Sequence, residues 1–273
     1  MSMPGGPAPG DLVYLFCLAD KIPERVTGCG GKDLSCFFNK GFYAVTAGVS
    51  GADFRGEDLR RNLNDLKWVE EKVRFHERVV EKMMASSTVI PFQFGTVFET
   101  EESLMKMLSE HVDAFTEMFK KLEGKREWGI KIFCDRKTFA RSIEEDGHRG
   151  VTEKEMEILS PGRAFLHNKR RDRLMAERVD AKIEGAGREI YEALAGFGAE
   201  VRIGGVFPAE ATGREGDMIL NAAFLVDNFR AGDFIGEVEL LKDKYPGLEI
   251  ECTGPWPPYN FCALKEHEPA DRK

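Results

Sequence analysis

His76 and His111 are the residues best suited to acid–base or metal chemistry. Both fall on the apolar stripes of predicted helices, so packing those helices together would bring the two imidazoles close, with Glu77 or Asp113 beside them. An imidazole titrates near neutral pH and ligates metals, so such a pair invites that reading. The plainer reading is a histidine that covers the edge of a core with one ring nitrogen bonded. His76-Glu77 leads to Val80, where the zinc motif His-Glu-x-x-His requires a second histidine. Cys29 and Cys36 stand wider apart than a zinc pair, and Cys17, Cys134, Cys252 and Cys262 are scattered in or beside predicted strands. There is no Gly-x-Ser-x-Gly elbow. Gly28-Cys29-Gly30-Gly31-Lys32 starts like a phosphate loop but runs into Asp33 where a hydroxyl belongs. Lys40-Gly41-Phe42-Tyr43-Ala44-Val45 approaches an RNA-binding strand, yet Ala44 takes the place of the second stacking ring. No catalytic residue, cofactor or metal is expected.

Two other segments combine rings with rigidity. Cys252-Thr253-Gly254-Pro255-Trp256-Pro257-Pro258-Tyr259-Asn260-Phe261 holds three prolines, which remove backbone donors and fix φ. It cannot continue a helix or fill a central strand, and it is expected to be non-regular after the last strand. Its large rings gain free energy only when covered, by their own domain or by a partner. In Val89-Ile90-Pro91-Phe92-Gln93-Phe94-Gly95-Thr96-Val97-Phe98 the bulky residues alternate along an extended stretch. The expected partner-binding residues are therefore Pro91, Phe92, Phe94, Phe98, Trp256, Tyr259 and Phe261. A basic cluster at Lys169, Arg170, Arg171 and Arg173 adds Arg170 and Arg171 as a docking surface for an acidic partner; the competing reading is a solvated, ion-paired helix face.

The elements that must position these residues follow from periodicity. Strands are expected at residues 12–18 and 42–49, with 34–38 pairing beside the second. Apolar or bulky residues at 59, 63, 66, 69, 73, 76, 80 and 83 trace one helical stripe. Pro91 forbids further helix. A second stripe at 104, 108, 111, 115, 118 and 122 ends at Gly124. From Trp128 the order is strand, long helix (163–197), strand (201–206), strand (218–226), helix (229–245), strand (248–252). Residues 135–161 are expected to hold short helices. That order is the split β-α-β of a ferredoxin-like domain. The expected fold is α+β, with two ferredoxin-like domains, the first modified, in which helices pack on antiparallel sheets. Expected bounds are a flexible leader at 1–10, domains at 11–124 and 125–254, and a Pro/aromatic tail at 255–273.

The two aromatic segments, in this order, together with Glu127-Trp128-Gly129-Ile130-Lys131 and Gly162-Arg163-Ala164-Phe165-Leu166, resemble the gas vesicle protein F/L family. The likeness runs from about Leu12 to Phe261, and Gly254-Pro255-Trp256-Pro257-Pro258-Tyr259-Asn260-Phe261 is its most specific piece. The resemblance implies a non-enzymatic accessory protein of gas vesicle assembly. It implies as partners the small hydrophobic wall protein and other gas vesicle accessory proteins. Two rival expectations are a small-molecule enzyme built on tandem ferredoxin-like domains and an RNA-binding module.

Bulk properties fit the leading expectation. The formal net charge of −8 disfavours nucleic acid and anionic membrane as partners. The longest uncharged run, residues 83–98, is too short to span a bilayer and is broken by Pro91 and Gly95. The start lacks a secretory signal, so a cytoplasmic or gas vesicle location with reduced cysteines is expected.

Overall fold

The computed structural model describes residues 11–22, 34–136, 138–140 and 161–262. The leader at 1–10, the Gly-rich loop around Cys29, most of 135–161 and the polar end after 262 lie outside the described residues. The chain separates into two compact units. One runs to Glu127 and includes the stretch from Pro255 onward; the other is Trp128–Gly254.

In the first unit, β1 (Asp11–Ala19) is an unbroken apolar run, buried at eight of nine positions. Such a run suits a strand covered on both faces. It pairs antiparallel with β3 (Phe42–Ser50), which forms a hairpin with β2 (Ser35–Asn39) through Lys40 and Gly41, both at positive φ. β4 (Val89–Pro91) takes the other side of β1, giving the order β2-β3-β1-β4, and β5 (Val97–Phe98) also pairs with β1. A bulge between Leu15 and Cys17 turns both Phe16 and Cys17 toward one core.

That core is closed by α1 (Gly51–Phe54) and α3 (Leu66–Met84), with α2 (Gly56–Asn62) between them. α4 (Glu101–Glu110) and α5 (Val112–Leu122) bring buried Leu104, Leu108, Phe115 and Leu122, with Phe42 against Phe115. Both expected long helices prove to be broken. The first stops at Leu63, and Asp65 restarts it by accepting the Lys67 and Trp68 amides. Leu63 and Leu66 therefore leave the stripe and stand exposed. The second breaks at His111, whose Nδ1 turns back to the Met107 carbonyl. Gly124, at φ +69, follows the end of α5 as the sequence predicts.

In the second unit the order is β6 (Lys125–Cys134), α6 (Pro161–Ala195), β7 (Gly198–Ile203), β8 (Asp217–Asp227), α7 (Ala231–Lys244) and β9 (Leu248–Trp256). The sheet order is β7-β8-β6-β9, the ferredoxin-like pattern. The first sheet repeats that strand order. Ile183, Ile190 and Leu194 of α6 and Phe234, Val238 and Leu241 of α7 pack in one core with Ile130, Ile132 and Phe224. β9 extends to Trp256, past the expected end at 252, and so takes in Pro255. An edge strand tolerates a proline because its outward N–H is not needed. Among the described residues no helix is long and apolar enough to cross a membrane.

Candidate functional site

The segment 89–98 is an edge strand with a loop pushed out of it. Cys17 pairs with Pro91, the Phe92 amide donates to the Phe16 carbonyl, and the ladder resumes where Tyr14 pairs with Val97. Between them the Thr96 amide closes a turn on the Gln93 carbonyl, with Gly95 at φ +86. The Gly95 amide donates to the Tyr14 hydroxyl at 3.0 Å. Phe92 and Phe94 diverge. Phe92 meets Phe115 of α5 at 6.2 Å between centroids, whereas Phe94 lies within 6.3 Å of Tyr14, Phe54, Trp68 and His76. A narrow apolar cleft of about 20 Å³, room for little more than one water, opens beside it, lined by Tyr14, Phe16, Ala47, Val49, Phe54 and Phe94, with Lys72 and Phe75.

The C-terminal segment returns to this unit. After β9, Pro257 and Pro258 are buried and Tyr259–Phe261 forms one 3-10 turn. Three contacts fasten it. The Tyr259 hydroxyl lies 2.9 Å from His76 Nε2. Asn260 donates its backbone N–H and its Nδ2 to the two carboxylate oxygens of buried Glu127, at 3.0 and 2.6 Å. Phe261 is 2% exposed, and Lys121 donates to its carbonyl at 3.2 Å.

His76 thus joins the two segments. Its Nδ1 is 2.8 Å from the Tyr14 hydroxyl, and its ring touches both Phe94 and Tyr259. Tyr14 is buried and already accepts from Gly95, so donating its own proton to Nδ1 leaves no buried donor unmet. Nε2 then carries the ring proton and donates to Tyr259. Burial lowers the His76 pKa to about 4, against a smaller opposing contribution from the Phe92 backbone. The ring is neutral at neutral pH, and both nitrogens are engaged. His111 is exposed at the helix break, not beside His76, so the expected histidine pair does not form.

The sign of the pH effect follows. The unfolded imidazole takes up a proton below about pH 6.5 and the folded one only near pH 4, so stability falls as pH drops through that window. His76 alone removes about 3 kcal/mol by its lower end. Glu127 acts oppositely: burial raises its pKa, partly offset by Asn260, so its folded form gains on protonation. In urea titrations from pH 7 to pH 4, His76→Gln is expected to flatten the acid loss; an unchanged slope would show that another group carries it.

The expected contact residues separate by exposure. Trp256 (44%) and Tyr259 (36%) are exposed, Phe92, Phe94 and Phe98 half-buried, and Pro91 and Phe261 buried. Pro91 and Phe261 are thus interior residues: Pro91 pairs with Cys17 of β1, and Lys121 lies over the Phe261 ring. Arg170 is exposed on the outer half of α6, and Arg171 follows it on the helix; Arg173 pairs with Glu177 at 2.9 Å. In the RNA-like strand Phe42 packs inside against Phe115 and Phe119, while Tyr43 meets the exposed Phe38. Sequence periodicity missed the exposed Leu63 and Leu66. The cluster Asn62-Leu63-Asn64-Asp65 was the signal, being a turn and N-cap composition inside a helical stripe.

Comparison with known proteins agrees with this architecture. The model of the gas vesicle synthesis protein GvpL/GvpF family matches residues 12–263. Gas vesicle protein L of Streptomyces sp. strain CB03234 is 27% identical over 247 residues, covering 90% of each chain. Gas vesicle protein F of the same strain is 27% identical over 225 residues, covering 80% of this chain and 84% of its own. The crystal structure of gas vesicle protein GvpF from Anabaena sp. PCC7120 has the same fold, with a TM-score of 0.66 at 24% identity over 94% of this chain and 98% of that one. The chain belongs to the gas vesicle synthesis protein GvpL/GvpF family. It is a gas vesicle protein of the structural and accessory class, and its partners are associated with gas vesicles.

Proposed function

We infer that the chain binds the small hydrophobic wall protein of the gas vesicle and assists nucleation or growth of the shell, acting in the cytoplasm and at the vesicle without making or breaking a bond. The observation that supports this most is the meeting of the two aromatic segments on one unit through His76, with Trp256, Tyr259 and Phe94 left partly open. A wall subunit with its apolar surface in water aggregates; covering that surface returns about 25 cal/mol per Å² before association costs. Half-exposed rings on a fixed scaffold serve this well, because little side-chain entropy is lost on contact. The exposed Leu63 and Leu66 widen the apolar surface of the unit. The basic outer half of α6 is a second contact region, suited to acidic accessory partners.

Light scattering tests the reading. Added in equimolar amount to wall protein diluted from denaturant, the chain is expected to suppress aggregation. Scattering that rises as fast with the chain as without it would contradict the proposal.

A further inference from the structure

The two edges of the second unit's sheet differ in a way that identifies an interface. Edge strands expose unpaired backbone groups, and proteins blunt them with prolines, charges or cover. β9 is blunted: it carries Pro255, and its Glu249 and Glu251 are bridged by Arg214. β7 has no proline, and among the described residues no strand pairs with its outer side. Ile203 beside that edge is 67% exposed, and Val206 and Phe207 beyond it are exposed as well.

The register shows what this edge presents. Beyond a bulge at Gly198/Glu200, Glu200 pairs with Leu225, Val201 with Phe224, Arg202 with Ala223 and Ile203 with Ala222. The Gly204 amide donates to the Asn221 carbonyl at 2.8 Å, which fixes the alternation. Glu200 and Arg202 direct their backbone groups to β8, and Val201 and Ile203 direct theirs outward. Val201 lies on the helix-covered face, where it packs against the core. Glu200 and Arg202 share the opposite face and already touch each other.

We propose that β7 is a homodimer interface, in which two copies of this chain pair their β7 strands antiparallel about a two-fold axis at Val201. Charge complementarity makes a second copy of this chain the partner that fits. Centring the pair on Val201 matches its outward N–H and C=O with those of its symmetry mate. It also sets Glu200 against Arg202 of the second copy, twice, at the closely spaced positions that hold no ladder bond. Ala199 then faces Ile203 of the second copy. Opposite charges two residues apart are self-complementary only in an antiparallel pair of identical strands. The interface is isologous and joins two four-stranded sheets into one. It is independent of wall-protein binding, which uses the other unit.

Sedimentation equilibrium on the full chain tests this. The wild type is expected to dimerise at micromolar concentration. Arg202→Glu and Glu200→Arg each turn two attractions into repulsions and are expected to weaken the dimer by about tenfold or more. The double variant Glu200→Arg/Arg202→Glu restores the pairing and the dimer, which separates lost recognition from lost folding. Val201→Pro removes an outward N–H that β8 does not use and is expected to give monomer with unchanged circular dichroism. A wild type that stays monomeric at high micromolar concentration, single variants as dimeric as the wild type, or a folded double variant that remains monomeric would each overturn the proposal. So would capture of a different chain along β7 by a monomeric wild type.

Discussion

Replacing Phe261 with alanine is expected to lower the unfolding free energy by about 3–5 kcal/mol, the range for emptying a buried aromatic site. The ring is enclosed, and the same turn carries the Asn260 clamp on Glu127 and the Tyr259 hydroxyl beside His76. Losing the ring loosens all three attachments together. Glu127 would then lose both Asn260 donors while staying desolvated, which adds to the cost. At roughly 2–4 °C per kcal/mol for a domain of this size, the melting point should fall by about 10 °C. A free C-terminal arm would behave otherwise, with a change under about 1 kcal/mol. Calorimetry of Phe261→Ala beside the wild type decides between a clasp and an arm.

Trp256→Ala should do the reverse. Its ring is 44% exposed, so removing it is expected to cost little stability, within about 1 kcal/mol. Truncating a tryptophan that anchors an interface costs about 2 kcal/mol or more of binding, a loss of at least about tenfold in affinity for the wall protein. The rigid proline frame sharpens the contrast: Pro257 and Pro258, buried directly after Trp256, fix the backbone there. Titration of fluorescently labelled wall protein into each variant reads the effect. Equal affinity for wild type and Trp256→Ala would remove Trp256 from the interface.

How much of this was legible in the sequence depended on the kind of signal. The second unit was read almost element by element, because Ile183, Ile190 and Leu194 keep helical spacing and Phe234, Val238 and Leu241 do the same. Strand ends were harder. Pro255 argued for an early stop of β9, but an edge position removes the objection. The first unit misled where a stripe crossed a helix break: Leu63 and Leu66 kept the period but not the helix, and Asp65 decided between them by capping. The rings of the candidate site could be named from the sequence, but not sorted. Nothing local distinguishes Phe261, covered by Lys121, from Trp256 five residues earlier. Their difference arises from tertiary partners more than a hundred residues away in the chain. His76 was noticed for the wrong reason. Its spacing suggested a pair with His111, whereas its actual partners, Tyr14 and Tyr259, come from opposite ends of the chain.

Photo-crosslinking tests the wall-protein contact most directly. A photoreactive phenylalanine analogue is placed at Trp256, at Phe94, or at Leu240, an exposed apolar position on α7 in the other unit. Illumination with the wall protein should give adducts from 256 and 94 and little from 240. Adducts from 240 alone, or equally from all three positions, would contradict an aromatic surface on the first unit that holds the wall protein.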